Sequence, residues 1–398
     1  MKIVVDPNIP FAQEAFGSLG DLVLAPGRQI NAATVRDADA LLVRSVTLVN
    51  ATLLDGSQVK FVATATIGTD HVDEACLRER GIGFASAAGS NANSVAEYVV
   101  AALLELAHRQ GFRLSERTLG VVGVGHVGSR VIRYAESLGM RVLPNDPPRE
   151  RAAGRSDPSV TDTGGRLAQP SPPDFVSLDR ILAEADIITL HVPLTRTGVD
   201  ATFHLFDKER LAALEDRHPI LVNTARGAVV DNKALLQAVD GERVRGTVLD
   251  VWENEPDISP ELLEVVDIGT PHIAGYSFDG KVNGTQMIHR AVCQFFGVPS
   301  TWQPPLPPPE VPRIELSVSS GDEDDDVVRR VVRRVYDITV DDAALRRGVR
   351  APEGIAAGFD TLRAVYPIRR EFFNTELVLR GASDILRKKF AMLGFKLV

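Results

Sequence analysis

Cysteine is scarce in this sequence. Cys76 and Cys293 are the only two among 398 residues, and they stand far apart. Two distant thiols form neither a disulfide framework nor a CxxC zinc site, so no metal is expected. The composition is typical of a protein of the reducing cytoplasm, and we expect that location.

Long apolar runs are missing as well. The N-terminal apolar run meets a charge at Asp6, which predicts no secretory signal peptide. The longest apolar stretch, 95–107, carries Glu97 and Glu105 and is shorter than the about 20 residues that a membrane-spanning helix needs. No membrane partner is therefore expected.

An excess of positive charge is the third absence. Lys and Arg number 44 against 53 Asp and Glu, which gives a net charge of −9. No overall field attracts nucleic acid, and an anionic ligand must meet a local cluster of basic residues. Hydrophobic residues make up 44% of the chain, a globular composition, and the length predicts two or three domains.

Short apolar runs alternate with helical patterns over the first three quarters of the chain. This alternation predicts parallel sheets covered by helices, in two similar halves joined by an apolar helix over 94–108. The predicted strands are 3–5, 40–43, 61–64, 119–122, 141–143, 187–190, 220–223 and 247–249.

Two segments interrupt this rhythm. Residues 147–173 are rich in Pro, Gly, Ser, Asp and Arg, which predicts a long solvated loop. Residues 303–312 contain six prolines and are predicted to be an extended linker. Beyond the linker we expect a third, small α+β module that includes a helix over 327–336.

A GxGxxG sequence lies between the predicted strand 119–122 and a helical pattern. The first glycine permits a tight turn, the second lets a pyrophosphate approach the backbone, and the third lets the helix pack on the strand. The helix N-terminus then faces the phosphates. The alternative is a purely structural turn. The predicted cofactor contacts in the turn are Gly123, Gly125, His126, Val127 and Gly128.

Asp146 stands at the end of the next predicted strand. A carboxylate there accepts hydrogen bonds from the adenosine ribose and repels a 2′-phosphate, so the expected cofactor is NAD rather than NADP. The alternative is a surface aspartate with no ligand.

Three further motifs each follow a predicted strand or a short apolar run: NTARGAVVD with Arg226, DVWENEP with Glu255 and TPHIAGY with His272. The carboxyl ends of parallel strands line one crevice, so these residues can converge. Oxidation of a secondary alcohol needs a base, for which histidine is suited. A carboxylate orients that base, and a guanidinium clamps a substrate carboxylate. Taken singly, each residue also fits a structural role in a turn or cap.

With these motifs the chain resembles the D-2-hydroxyacid dehydrogenase family over about residues 3–296. The resemblance implies two Rossmann-like, doubly wound parallel-sheet domains and a small C-terminal α+β dimerisation domain. The implied bounds are 1–94 with 277–300 for substrate binding, 95–276 for NAD binding and 301–398 for dimerisation.

Segments 42–47, 64–74, 145–149, 272–276 and 340–346 resemble one branch of that family. The branch oxidises a small phosphorylated 2-hydroxy acid in pyridoxal 5′-phosphate biosynthesis, as a homodimer. The implied substrate contacts are Ser45, Thr66 and Tyr276, although spacing alone fits Thr66 to a turn equally well. The implied cofactor contacts are Asp146, Val192, Thr224, Ala225, Arg226, Asp250 and Gly275.

A phosphate dianion needs a charge-assisted donor, and Arg44 beside Ser45 is the leading candidate. A surface salt bridge is its alternative role, and Arg346, reaching from a partner chain, is a weaker candidate. The stretch 149–176 is longer and more polar than the family pattern, and we expect it in solvent. Two other functions stay open: a related dehydrogenase such as one for 3-phosphoglycerate, or a non-catalytic NAD-sensing scaffold resembling a corepressor.

Overall fold

The computed structural model describes residues 1–153, 174–350, 352 and 354–398. Within them lie three parallel sheets of five, six and three strands, with helices in the connections. The predicted α/β class is confirmed. None of the helices in these ranges combines the length and the apolarity that crossing a membrane requires.

The strands and helices have the following bounds. The strands are β1 (Lys2–Val5), β2 (Asp21–Leu24), β3 (Ala40–Val43), β4 (Phe61–Thr64), β5 (Gly83–Ser86), β6 (Thr118–Val122), β7 (Arg141–Asn145), β8 (Ile187–Leu190), β9 (Ile220–Asn223), β10 (Gly246–Leu249), β11 (Ile268–Gly269), β12 (Arg313–Ser317), β13 (Glu376–Arg380) and β14 (Lys396–Leu397). The helices are α1 (Ala12–Phe16), α2 (Ala32–Val35), α3 (Glu74–Glu79), α4 (Ala92–Gln110), α5 (His126–Ser137), α6 (Pro147–Ala153), α7 (Leu178–Glu184), α8 (Lys208–Ala212), α9 (Asn232–Asp240), α10 (Pro260–Val265), α11 (Phe278–Phe296), α12 (Asp324–Val335), α13 (Ile338–Gly348), α14 (Ile355–Ala364) and α15 (Asp384–Leu393).

The chain divides into two compact units. The first comprises 1–94, 275–309 and 368–371, and the second comprises 95–274, 310–367 and 372–398. The three predicted domains, 1–94 with 277–300, 95–276 and 301–398, remain a prediction.

The first unit contains the five-stranded sheet, in the order β2-β1-β3-β4-β5. All four residues of β3 and of β4 are buried, because helices cover both faces of a parallel sheet. Successive residues of β1, such as Ile3 and Val4, belong to apolar clusters on opposite faces of the sheet.

Four residues from the C-terminal part of the chain, 368–371, also belong to the first unit. Arg370 forms a buried ion pair with Asp279, with Nη2 2.9 Å from Oδ1 and Nε 3.0 Å from Oδ2. Glu371 accepts hydrogen bonds from Ser277 at 2.7 Å and from Asn93 at 2.8 Å. We call residues 368–371 the strap, and it is part of the packing around the start of α11.

The second unit contains the six-stranded sheet, in the order β11-β10-β9-β8-β6-β7. The chain runs from β6 outward to β7 and then resumes at β8 on the other side of β6. This reversal is a topological switch point, where the loops after β6 and β8 leave an opening for a ligand. The same unit holds the three-stranded sheet β12-β13-β14, whose strands are also parallel.

The eight predicted strands are confirmed, with ends that differ by at most two residues. In the two large sheets the prediction missed β2, β5 and β11, and each of these lies at the edge of its sheet. β2 and β5 are only partly buried and β11 has only two residues, so none of them has the fully buried four-residue run of a strand such as β3.

The loop prediction for 147–173 is wrong at its start, where α6 spans Pro147–Ala153. Asp146 accepts the backbone N–H of Arg149 at 3.0 Å, and two prolines suit a first helical turn, which needs no N–H of its own. Residues 154–173 lie outside the described residues. The linker over 303–312 contains no helix or strand, as predicted.

Candidate active site

The glycine turn after β6 has the geometry that its spacing predicts. Gly123 has φ 91°, a left-handed conformation that favours glycine. A Cβ on Gly128 would collide with the carbonyl oxygen of Gly123, whereas one on Gly125 would meet open space. His126 is exposed and begins α5, with Val127 next to it. Bare backbone at Gly125 and the N-terminus of α5 fit a pyrophosphate group.

Asp146 lies beside this turn. One carboxylate oxygen accepts the N–H of Val124 at 2.9 Å and the other accepts the N–H of Arg149. The Arg149 guanidinium also donates to the carbonyl oxygen of Val124. Asp146 remains partly exposed, and each carboxylate oxygen has a second lone pair that a ribose hydroxyl can use. The turn and Asp146 together fit a dinucleotide.

Arg226, Glu255 and His272 line one pocket of about 430 Å³ in the second unit. They follow β9, β10 and β11, whose carboxyl ends lie at the same edge of the sheet. Gly227 makes the approach possible, because a Cβ there would collide with the backbone of Trp252. The structure therefore brings the three predicted residues together.

Glu255 and His272 form a direct pair. Glu255 Oε2 lies 2.7 Å from His272 Nδ1, and Glu255 Oε1 accepts the backbone N–H of Trp252 at 2.8 Å. Burial raises the pKa of Glu255, but the His272 charge, its hydrogen bond and the Trp252 N–H outweigh burial and hold that pKa below its ordinary value. Because Nδ1 is engaged, Nε2 is the nitrogen left to meet a substrate.

The loop that carries His272 is fixed by Asp250. The Asp250 backbone oxygen accepts the His272 N–H at 2.7 Å, and its carboxylate accepts the N–H groups of Ile273 at 2.7 Å and Ala274 at 3.0 Å. Burial raises the pKa of Asp250, although these hydrogen bonds and the His272 charge act in the opposite direction. The resemblance implies a cofactor contact for Asp250; here its carboxylate holds the His272 loop.

Other predicted cofactor residues lie near the switch point. Thr224 Oγ1 is 3.2 Å from His191 Nδ1, and Val192 follows that histidine after β8. Ala225 donates its N–H to the Asn223 side chain at 3.0 Å, which shapes the turn before Arg226.

The predicted substrate residues lie in the first unit, as does Gly275, whose carbonyl accepts the Asn91 side-chain amide at 3.1 Å. Arg44 and Ser45 follow β3, and among the described residues the Arg44 guanidinium has no hydrogen-bond or ion-pair partner. Thr66 follows the neighbouring strand β4, and its hydroxyl lies 2.7 Å from that of Thr64. The Lys281 ammonium lies over the Tyr276 ring, 4.2 Å from the ring centroid.

Arg346 is engaged inside the second unit. Its guanidinium pairs with Asp342 at 3.0 Å and donates to the carbonyl oxygens of Leu263 at 2.6 Å and Val266 at 2.7 Å. These bonds engage all three nitrogens of the guanidinium and connect α13 to the C-terminal end of α10, and the phosphate role of Arg346 stays a prediction.

Sequence reasoning missed two features of this region. Arg196 lines the pocket, and its guanidinium lies 4.4 Å from the centroid of the Phe203 ring. His191 bonds to Thr189 and Thr224, and burial lowers its pKa to about 3. A basic residue in the loop after a buried strand was the available signal for Arg196. The part of the chain that the structure describes contains no cluster of His, Cys, Asp or Glu able to hold a metal ion.

Comparisons with known proteins place these residues in a family context. Residues 87–274 match the family model "D-isomer specific 2-hydroxyacid dehydrogenase, NAD binding domain", and residues 305–394 match a domain of unknown function. A D-lactate dehydrogenase from Aquifex aeolicus, solved with NAD and lactic acid, is similar in structure. Its TM-score is 0.58 and its identity 26%, over 75% of this chain and 96% of that one.

Curated relatives extend the similarity to the whole chain. The erythronate-4-phosphate dehydrogenase of Chromohalobacter salexigens is 45% identical over 396 residues, which is 100% of this chain and 98% of that protein. The enzyme of the same name from Cronobacter sakazakii is 48% identical over 374 residues, 94% of this chain and 92% of the relative.

Proposed function

The chain belongs to the erythronate-4-phosphate dehydrogenases of the D-2-hydroxyacid dehydrogenase family, and from that premise we propose that it oxidises 4-phospho-D-erythronate with NAD. The product is (R)-3-hydroxy-2-oxo-4-phosphooxybutanoate, an intermediate of pyridoxal 5′-phosphate biosynthesis. One observation carries the assignment: the Glu255–His272 pair shares a pocket with Arg226.

His272 is the base in this proposal. Its Nε2 takes the proton of the C2 hydroxyl as the C2 hydrogen departs with its electron pair and the C=O bond forms. NAD, when bound, supplies the hydride acceptor. Glu255 holds Nδ1 and stabilises the imidazolium that results, because an opposite charge at hydrogen-bond distance favours the charged ring.

Arg226 clamps the substrate carboxylate in the same proposal. A guanidinium offers paired hydrogen bonds that match a carboxylate and polarises the neighbouring oxygen. For the phosphate we propose Arg44, whose side chain has no partner among the described residues, with Ser45, Thr66 and Tyr276 as further substrate contacts. Arg196 in the pocket is the second cation to test.

The glycine turn and Asp146 are the proposed NAD site. A carboxylate beside the turn binds ribose hydroxyls and repels the 2′-phosphate of NADP. Titration of both cofactors into nucleotide-free protein tests this point. We expect NAD to bind more tightly, and tighter NADP binding would contradict the assignment.

A substrate panel tests the reaction itself. NADH formation is followed with 4-phosphoerythronate, 3-phosphoglycerate and D-lactate, and kcat/KM should be highest for the first. A preference for 3-phosphoglycerate would identify a related dehydrogenase. Lack of turnover with all three would favour a non-catalytic NAD-binding scaffold and reject the proposal.

We also propose a cytoplasmic homodimer that assembles through residues 301–398. Exposed apolar side chains in that region support dimerisation, among them Val365 at 72% exposure and Ile385 at 68%. Cys76 and Cys293 are both unpaired and buried, as suits a reducing compartment. The mass of V365E/I385E in solution, beside that of the parent, tests the interface.

A further inference from the structure

A chain of buried hydrogen bonds leads from α4 to the loop that carries His272. The Tyr98 hydroxyl lies 2.7 Å from Thr270 Oγ1, and Thr270 Oγ1 donates to Asp250 Oδ1 at 2.7 Å. Asp250 in turn accepts the N–H groups of Ile273 and Ala274, the two residues after His272. Tyr98 and Thr270 are fully buried, and 172 residues separate them in sequence.

The direction of these bonds is fixed by the number of hydrogens. Thr270 has one hydroxyl hydrogen, which Asp250 receives, so Tyr98 donates to the Thr270 oxygen. Burial, together with the Asp250 charge, raises the pKa of Tyr98 well above its ordinary value, which keeps the phenol protonated. The chain therefore has a donor at one end and a carboxylate at the other.

Thr270 also connects the two loops that carry the proposed catalytic pair. Its backbone oxygen accepts the Trp252 indole N–H at 2.9 Å, and the Trp252 backbone N–H binds Glu255. Thr270 is thus hydrogen-bonded directly to the loop that carries Glu255, and it is linked through Asp250 to the loop that carries His272.

His272 needs this support because its backbone is strained. Its φ is 56°, in the left-handed region, which disfavours residues that carry a Cβ. The strained conformation persists because Asp250 binds the N–H groups of His272, Ile273 and Ala274. If Asp250 shifts, the loop can relax and move Nε2, and small displacements of a reacting group lower rates steeply.

We infer that Tyr98 and Thr270 are positioning residues for His272, acting through Asp250 to hold its strained loop in register with Glu255. The inference rests on the proposed function, because it takes His272 as the base. Tyr98 lies outside the motifs that indicated the site, and Thr270, the first residue of TPHIAGY, had no role assigned to it from the sequence.

Three variants of the full-length protein test the inference. T270V removes the hydroxyl at almost constant volume, T270S keeps it, and Y98F removes only the terminal donor. Y134F is the matched control, since it removes the hydroxyl of another fully buried tyrosine of the same unit, toward the end of α5. For each variant, kcat, both KM values and the effect of deuterium at C2 of the substrate are measured per NAD-binding site.

For T270V we expect kcat to fall by about tenfold, the scale of one hydrogen bond to a charged group. The KM values for NAD and for the hydroxy acid should stay unchanged. The deuterium isotope effect on kcat should rise, because the hydride-transfer step has become slower. Y98F should show a smaller change of the same kind, the double variant should be no worse than T270V, and T270S should restore kcat.

A purely structural role predicts another pattern. Loss of folded protein lowers the number of NAD sites but leaves kcat per site and the isotope effect unchanged, and that result would overturn the inference. So would Y98F and Y134F behaving alike. If T270V does not fold, Y98F alone still decides. Absence of turnover in the parent would instead reject the proposed function.

Discussion

Replacing Glu255 by Gln exchanges one carboxylate oxygen for an NH2 group and removes one negative charge from the candidate site. In the parent, Glu255 Oε1 accepts the Trp252 N–H and Oε2 meets His272 Nδ1 at 2.7 Å. The glutamine amide can satisfy both neighbours only if its oxygen faces Trp252 and its NH2 group faces Nδ1. That arrangement makes Nδ1 an acceptor, so the proton of the neutral ring moves to Nε2.

The expected loss follows from these two effects. A ring with its proton on Nε2 cannot accept the substrate proton there, and the imidazolium formed in the reaction loses its carboxylate. One hydrogen bond to a charged group is worth about 1.5–3 kcal/mol, or about 10- to 100-fold in rate. With the unfavourable tautomer added, we expect kcat to fall by about 10²- to 10⁴-fold, as for the comparable Asp-to-Asn change in a serine protease triad.

The assay is steady-state NADH formation with 4-phosphoerythronate, beside NAD titration for each variant. E253Q is the comparison, because Glu253 lines the same pocket and forms its own carboxylate–imidazole pair with His204 at 2.7 Å. E255Q should lose far more kcat than E253Q while NAD binds both normally. Equal losses, or an undiminished kcat in E255Q, would refute the assigned role of the Glu255–His272 pair.

Four further predictions use other parts of the structure. H272A should lower kcat by about 10²- to 10⁴-fold and leave NAD affinity near that of the parent, and retained kcat would reject His272 as the base. G128A should weaken NAD binding in a titration, because its Cβ collides with the carbonyl oxygen of Gly123. R44A should raise KM for 4-phosphoerythronate with less effect on D-lactate, and an unchanged KM would move the phosphate role to Arg196. His191 should make the parent less stable in acid, because between its ordinary pKa and about 3 only the unfolded chain binds the proton. In that range the free energy of unfolding should decrease by up to about 1.4 kcal/mol for each unit by which the pH is lowered. H191N should reduce this slope in denaturant titrations.

The interior strands of both large sheets could be predicted from the sequence, whereas of the four edge strands only β7 could. Strands such as β3 and β9 are buried on both faces, so their apolar runs mark them directly. At the edge, β2 begins with Asp21 and leaves Leu24 exposed, and β11 has only two residues. Short, partly solvated strands resemble loops in sequence.

The site divides in a similar way. Arg226, Glu255 and His272 stand in motifs next to strand ends, and strand ends converge in a parallel sheet, so spacing and topology predict their meeting. Tyr98 lies within an apolar helical pattern, where an aromatic residue reads as core. Its contact with Thr270 depends on tertiary packing between residues 172 positions apart, which no local pattern contains.

Because the strap belongs to the first unit, the C-terminal part of the chain, which contains the strap, cannot be removed or exchanged without affecting that unit. A chain shortened before residue 368 would leave Asp279 without Arg370 in the interior of the first unit, and breaking such a buried pair costs about 3–5 kcal/mol. If such a shortened chain is inactive, the cause can therefore be destabilisation of the first unit rather than loss of a function of the removed residues. A chimaera that grafts this tail onto a relative must carry Asn93, Ser277 and Asp279 with it.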